Sequence, residues 1–252
     1  MNTFLHTRVI GVQPSLTTRA LTPAALPQAP VPVGQGETAL RAAGCLLVAL
    51  PVFLQAPWVR LAPFSAALFT APLLLLAVLL AQLPSQRWRD IGVLLVGFCG
   101  SWLGGCLFWG WCRLHPLWHL PIEAFALPLA LGGLNSRWRL GASFYLASLA
   151  GTAATDGVMA VTGVMRHWTE VLEAPIQQAP ALLQQAALGV LAPLPLAVTA
   201  AATVILVDLC RRFWQHPDDA WRLAASALAT TLAVDGIFLT AALWSPHWSG
   251  LI

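Results

Sequence analysis

Long apolar stretches follow one another along most of this chain, each near the roughly 20 residues that a helix needs to cross a bilayer. Only 9% of the 252 residues are charged and 58% are hydrophobic, whereas a soluble domain carries about 25% charged residues. We therefore expect an all-α fold, a polytopic transmembrane helical bundle of about seven spans. The predicted spans are 38–56, 61–83, 91–111, 116–134, 141–165, 189–210 and 221–245.

The arginines give an independent test of this arrangement, because all thirteen basic residues of the chain are arginine. With seven spans and a cytoplasmic N-terminus, ten of them fall on the cytoplasmic side, and only Arg60, Arg113 and Arg166 fall outside. Positive charge is preferentially retained in the cytoplasm, so this bias predicts an N-terminus in the cytoplasm and a C-terminus outside. No dense basic cluster indicates nucleic acid as a partner.

Residues 1–37 differ from the rest of the chain. They are rich in Pro, Thr, Gln and Gly and contain no apolar run of membrane length. Such a composition buries too little apolar surface to order itself. We expect a disordered N-terminal tail at 1–37 and a transmembrane helical domain at 38–252.

Two acidic dipeptides lie in nearly the same apolar context eighty residues apart. The stretch SLAGTAATDGVM (148–159) aligns with ALATTLAVDGIF (227–238), and both contain the pattern T-x-x-x-D-G. Each aspartate, Asp156 and Asp235, lies about nine residues before the outer end of its span, at a depth of about 13 Å. Thr152 and Thr231 lie one helical turn earlier on the same face, close enough to bond an aspartate.

A third acid, Glu123, lies at a similar depth, about 12 Å from the outer start of the fourth predicted span. Charges inside a membrane are costly, so such side chains usually face a protein interior or water and mark functional sites. We therefore predict one shared intramembrane polar site in the outer half of the bundle. Its candidate residues are Glu123, Asp156, Asp235, His119, Thr152 and Thr231.

Two histidines, His115 and His119, precede Glu123 at four-residue spacing. On a continuous helix these side chains would form one stripe, but Pro116 and Pro121 favour a helix that starts near Pro121, with both histidines in the loop above. Three roles remain open for the imidazoles: a bond to the backbone, proton transfer or a metal site. Because no H-E-x-x-H or comparable spacing is present, we predict no metal ligand and no catalytic residue, and no cofactor is identified.

Three further features carry structural predictions: the small residues of the third predicted span, the cysteines and the longest loop. In GFCGSWLGGCLFWGW the small residues recur every fourth position, which favours close helix packing. The five cysteines lack paired spacings and are expected to pack as small apolar residues. The loop 166–188, with Trp168 and several aliphatic side chains, is predicted to form an interfacial cap over the outer mouth.

The stretches PLWHLPIEAFALPLAL, FYLASLAGTAATD and LATTLAVDGIF resemble a cyanobacterial family of integral membrane proteins of unknown function. The resemblance covers about residues 42–245 and omits the tail. It implies a cyanobacterial membrane, thylakoid or plasma, and no assigned activity. The positions that match the family's polar motifs are His119, Glu123, Thr152, Asp156 and Asp235, whereas His115 is not expected to be shared.

Two classes of function fit these features. Carboxylates on several helices at one depth suit proton- or cation-coupled transport, because protonation switches the site between neutral and charged forms. Alternatively, the chain is an accessory or assembly subunit of a larger membrane complex, and the acids form interhelical hydrogen bonds. A stoichiometric large complex would favour this alternative, whereas a monomer or a homo-oligomer would favour transport. An intramembrane enzyme is the third class, but no nucleophile elbow, phosphate loop or metalloprotease motif is present.

Overall fold

The computed structural model describes residues 35–246, and this part of the chain forms helices without β-strands. Residues 1–34 of the tail expected at 1–37 lie outside the described part of the chain, and the first helix begins at Gln35. The α-helices are α1 (Gln35–Leu50), α2 (Ala56–Leu61), α3 (Pro63–Leu68), α4 (Thr70–Ala81), α5 (Gln86–Leu107), α6 (His119–Glu123), α7 (Leu127–Gly133), α8 (Arg139–Thr162), α9 (Trp168–Glu173), α10 (Ala179–Val190), α11 (Pro193–Gln215) and α12 (Asp219–Trp244).

Short irregular helices join several of these elements. Two have π-helical geometry and continue α1 and α5, and three are 3₁₀ turns. The π segments are Pro51–Gln55 and Phe108–Cys112, and the 3₁₀ turns are Pro116–Trp118, Ala124–Ala126 and Val164–His167.

Six helical stretches in the described part of the chain are long and apolar enough to cross a membrane. They are Thr38–Leu61, Pro63–Ala81, Gln86–Cys112, Arg139–Thr162, Pro193–Gln215 and Asp219–Trp244. The prediction of an all-α bundle with several membrane-crossing helices is confirmed at this level. The predicted fourth span, 116–134, is not among the six.

That fourth stretch is broken because its prolines interrupt helical hydrogen bonding. It consists of two 3₁₀ turns with the short helices α6 and α7, and Pro116 and Pro128 each occupy the start of a new element. Proline has no N–H to donate and restricts the residue before it, so each proline favours a new helix start over continuation. No single helix in 116–134 is therefore long enough to span a bilayer.

The broken stretch nevertheless runs alongside α8 in the opposite direction. His119 contacts Asp156, Glu123 contacts Thr152, and Ala130 packs against Ala142. From Asp156 back to Ala142 is fourteen residues of α8, which corresponds to about 21 Å of helix. The stretch thus returns the chain from the end of α5 to the start of α8.

Four long helices begin at one end of the bundle. Leu40 of α1, Arg87 of α5 and Asp219 of α12 line one small pocket. Arg139, at the start of α8, forms an ion pair with Asp218, which caps α12. Helices α1, α5, α8 and α12 therefore run parallel, and the arginines near their starts collect at this end, which we call the arginine-rich end.

Helix α5 packs tightly against its neighbours through its small residues. A Cβ atom at Gly97 would lie 2.1 Å from the carbonyl oxygen of Gly141 on α8, so these two backbones are in direct contact. Gly105 leaves space for the buried side chain of Gln55, whose amide nitrogen donates to the Trp102 carbonyl. The prediction that these small residues serve close helix packing is confirmed.

Candidate functional site: a histidine between two carboxylates

His119 and Glu123 lie one turn apart on the five-residue helix α6. The imidazole Nε2 of His119 is 3.2 Å from Oε1 of Glu123. The expectation that both histidines precede the helix is wrong for His119: α6 begins at His119, two residues before Pro121. A proline in the first turn is tolerated because it lacks only an N–H that would have no helical partner there. His115 is exposed and faces Trp118, outside this arrangement.

Asp156 of α8 contacts the other nitrogen of the same imidazole. Nδ1 of His119 lies 3.0 Å from Oδ2 and 3.1 Å from Oδ1 of Asp156. The side chains of His119, Glu123 and Asp156 are 12%, 17% and 13% exposed. A largely buried imidazole thus bridges two carboxylates that are 33 positions apart in sequence.

The break in the helix after Glu123 is held by Tyr145, the only tyrosine of the chain. Its hydroxyl donates to the carbonyl oxygen of Glu123 and accepts from the backbone N–H of Ala126, at 3.2 Å. Buried backbone groups released by a helix break must find other partners. Tyr145 supplies both, and it was missed from sequence because a lone tyrosine in an apolar span has no distinguishing pattern.

Gly104 of α5 allows α6 to approach this closely. A Cβ atom at Gly104 would lie 3.0 Å from the Cα atom of Glu123. That distance is tighter than most real Cβ contacts, so a side chain at this position would require the backbone of α6 at Glu123 to shift.

Asp235 joins the site through a residue that the sequence did not single out. The hydroxyl of Thr155 on α8 lies 2.6 Å from Oδ2 of Asp235 on α12, and also 3.1 Å from the carbonyl oxygen of Gly151. Thr155 directly precedes Asp156, whereas the corresponding position before Asp235 is Val234.

The two threonines of the repeated pattern do not bond the aspartates one turn further along. Thr152 donates to Oε2 of Glu123 at 3.0 Å, on the neighbouring element. Thr231 donates to the carbonyl oxygen of Ala227 in its own helix, at 3.2 Å, and its side chain packs against Gly151. The geometry therefore unites Thr152 with the acids and leaves Thr231 as a packing residue.

The glycines after the two aspartates mark neither a helix break nor a close helix contact. Helices α8 and α12 continue without a break through Gly157 and Gly236. No described atom lies within 4 Å of a Cβ built at either position. Close helix approach occurs instead one and a half turns earlier, at Gly151.

Aromatic rings pack against one side of the His119 imidazole. The ring centroid of His119 lies 4.2 Å from that of Phe108 and 6.0 Å from that of Trp168. Trp168 also stacks on Trp109, at 5.5 Å, and its indole N–H donates to the Arg113 carbonyl oxygen at 2.7 Å. The predicted interfacial loop is therefore largely helical, and its α9 end covers this site.

The chemistry open to the cluster follows from the two occupied ring nitrogens. A neutral imidazole has one N–H donor and one acceptor nitrogen, and a protonated imidazole has two donors. With a carboxylate at each nitrogen, a proton that enters at one nitrogen can leave from the other. Among the described residues, no group of three or more His, Cys, Asp or Glu side chains is arranged to hold a metal ion.

The sequence also matches a known protein family. The profile of the family described as "Protein of unknown function (DUF3120)" matches residues 44–243. The chain belongs to this family. The match includes α5 to α11, nearly all of α12 and all six predicted site residues, and the family's description assigns no activity. No curated protein and no solved structure is significantly similar to the chain.

Proposed function

We propose that this DUF3120 family member couples proton movement to transport across a membrane, through the cluster of His119, Glu123 and Asp156. The observation that carries the proposal is the His119 imidazole, which contacts a carboxylate with each of its ring nitrogens. A purely structural hydrogen bond would need only one of these contacts. Two acids on one titratable ring form a unit whose charge changes with each proton gained or lost.

A proton can cross this unit by a balanced exchange. When Glu123 carries the proton, it donates to Nε2 while the Nδ1–H of the neutral ring donates to Asp156. Transfer of the first proton to Nε2 and of the second from Nδ1 to Asp156 leaves Glu123 ionised, Asp156 protonated and the ring in its other tautomer. Thr152 stabilises the ionised form of Glu123 by donating a hydrogen bond to Oε2.

Asp235 is the next acceptor in this proposal. Its carboxylate contacts the hydroxyl of Thr155, the residue directly before Asp156 on α8, and neighbouring like charges disfavour each other's ionisation. When Asp156 takes a proton from His119, an ionised Asp235 is favoured. That carboxylate can bind a cation or accept a further proton. Flux measurements would identify the transported ion or solute.

The broken stretch 116–134 is, in the same proposal, the seventh crossing of the membrane. It runs antiparallel to α8 over about 21 Å, a large share of the roughly 30 Å hydrocarbon core. Irregular backbone at membrane depth is tolerated where protein covers it, and discontinuous helices recur at transporter substrate sites. Tyr145 provides such cover at the break.

The orientation proposed here places the arginine-rich end in the cytoplasm, because cytoplasmic loops retain positive charge. Reporter fusions after residues 86, 138 and 216 should then be cytoplasmic, and fusions after 58, 114 and 176 external. Two or more inverted positions would contradict seven crossings. From the family resemblance we also infer a cyanobacterial membrane, thylakoid or plasma, which fractionation of the source cells would test.

The transport proposal is tested by charge displacement in reconstituted proteoliposomes on a solid-supported membrane. Jumps in pH, Na⁺ or K⁺ concentration should produce transient currents with the wild-type protein. His119→Gln and the Asp156→Asn, Asp235→Asn double variant should abolish these currents, because the variants keep hydrogen bonding but cannot titrate.

The chain offers a matched control in the exposed pair His167 and Glu170. Their contact is also 3.2 Å and lies in the outer loop, outside the cluster. His167→Gln and Glu170→Gln should therefore leave the currents unchanged. Wild-type currents in the double Asn variant would end the carboxylate-coupled mechanism.

One observation favours the alternative of an accessory subunit. No residue of α11 is buried within the described bundle, although the helix is 23 residues long. A helix with no fully buried residue leaves much of its surface available for docking on a larger complex. Purification in mild detergent distinguishes the two: a stoichiometric large complex supports the accessory function, and a free protein with pH-driven currents supports transport.

A further inference from the structure

A shallow groove lies between α11 and α12 on the outside of the bundle. It has a volume of about 380 Å³ and is lined almost entirely by apolar side chains. On α12 its wall is formed by Leu232 and by three alanines that recur every fourth residue, Ala225, Ala229 and Ala233. Because alanines barely project from the helix, the backbone of α12 and the side of α11 leave an open channel between them.

The end of this groove toward the arginine-rich end carries an aromatic ring and a cation. Trp214 and Arg211, both exposed on α11, line it. Arg211 forms no ion pair with any residue in the described part of the chain, whereas its neighbour Arg212 is paired with Asp208 at 2.7 Å. The guanidinium of Arg41 lies 5.1 Å from the ring of Trp214, which adds to the positive charge at this level.

The dimensions of the groove correspond to one lipid chain. Ala225 to Ala233 covers eight residues of α12, or about 12 Å of rise. One leaflet contributes about 15 Å of hydrocarbon to a 30 Å core. The groove therefore extends through most of a single leaflet, from an interfacial tryptophan toward the membrane centre.

We propose that this groove is a binding site for an anionic phospholipid, with one acyl chain along Ala229 and the phosphate at Arg211. An anion is indicated because Arg211, at the mouth, is paired with no carboxylate among residues 35–246. A chain is indicated because the rest of the lining is apolar and continuous with the lipid-facing surface. This site is separate from the histidine–carboxylate cluster and does not rest on the transport proposal.

Native mass spectrometry of the detergent-solubilised protein, titrated with phosphatidylglycerol or phosphatidylcholine, tests this inference. The wild-type protein should bind phosphatidylglycerol more tightly. Arg211→Gln should weaken phosphatidylglycerol binding about fivefold, the effect of one arginine near an anionic headgroup, and should weaken phosphatidylcholine binding less, because the choline cation offsets its phosphate. Ala229→Phe should weaken the binding of both lipids, because its ring fills the groove.

Arg212→Gln is the matched control, since it removes the same charge from the same turn of α11 but outside the groove. It should change phosphatidylglycerol binding less than twofold. An equal loss of binding in both arginine variants would overturn the proposal, as would unchanged lipid binding in Ala229→Phe. It would also be overturned if the lipid-free wild-type protein were a dimer that the Ala229→Phe substitution dissociates.

A second measurement locates the bound lipid without relying on a change in affinity. Phosphatidylglycerol brominated on its acyl chains should quench part of the tryptophan fluorescence in nanodiscs. The part quenched at low lipid fraction should be absent from Trp214→Phe. Equal quenching in the wild-type protein and in Trp214→Phe would contradict lipid binding at this place.

Discussion

Helices α8 and α12 carry the same T-x-x-x-D-G pattern and lie side by side in parallel, yet the two copies have different surroundings. Asp156 on α8 contacts the imidazole of His119, whereas Asp235 on α12 accepts a hydrogen bond from Thr155. Thr152 reaches Glu123, whereas Thr231 bonds its own helix. The difference arises because α8 borders the broken stretch 116–134 and α12 does not contact its polar residues.

This comparison teaches that a repeated sequence specifies a repeated helix but not a repeated site. Both aspartates gain a partner from the element next to them, not from their own motif. Thr155, in the α8 copy, even serves the aspartate of the other copy. The copy nearer the histidine is therefore the one on which loss of a side chain should have the larger effect.

The largest expected difference is between the two aspartates. Asp156→Leu should lower the free energy of unfolding by about 3 kcal/mol, because His119 loses one of two buried charged partners. Asp235→Leu should cost about 1 kcal/mol, since it removes one hydroxyl contact. Steric trapping in bicelles measures both, and an equal loss in the two variants would show that the two copies have equivalent surroundings after all.

A smaller effect is expected where the two copies touch. A Cβ atom at Gly151 would lie 2.9 Å from the Thr231 side chain, which is β-branched and stiff. Gly151→Ala should therefore destabilise the protein by about 2 kcal/mol through overpacking. Gly157→Ala is the control, because no described atom would meet its Cβ, and the midpoint temperature of unfolding in detergent should not fall.

The threonines of the two copies provide the next comparison. Thr152→Val removes a hydroxyl that donates to a carboxylate and should cost about 1.5 kcal/mol. Thr231→Val keeps the shape that packs on Gly151 and loses only a bond within its own helix, so it should change stability by less than about 0.5 kcal/mol. The ranking would be contradicted if Thr231→Val proved the more damaging of the two.

The smallest effect is expected at Thr155, which links the copies. Thr155→Val should cost about 1 kcal/mol through the lost hydrogen bond to Asp235. Thr155→Ser keeps the hydroxyl and should restore most of that loss. Thr155→Val should change the carboxyl band of the infrared spectrum relative to the wild-type protein. The same substitution added to Asp235→Asn should leave the band of Asp235→Asn unchanged, because no Asp235 carboxyl remains. A change in that second pair would assign the effect to another acid.

The sequence by itself determined the features that depend on composition and helical period. Apolar length predicted the all-α bundle, arginine spacing predicted which helix ends collect together, and equal depth predicted that Glu123, Asp156 and Asp235 belong to one region. His119 was included because either arrangement, a continuous helix or a loop above Glu123, can bring its imidazole toward a carboxylate. These properties need no knowledge of which helices are neighbours.

Only the tertiary structure decided the partners. The side chain that bonds Asp235 comes from α8, the hydroxyl of Thr152 turns to α6, and Tyr145 holds a backbone break 22 positions away in sequence. Glycine placement is just as instructive: Gly104 and Gly151 permit close contacts, whereas Gly157 and Gly236 meet no described atom. A helical sequence fixes which residues share a face, but the packing of other helices against that face determines what each residue contacts.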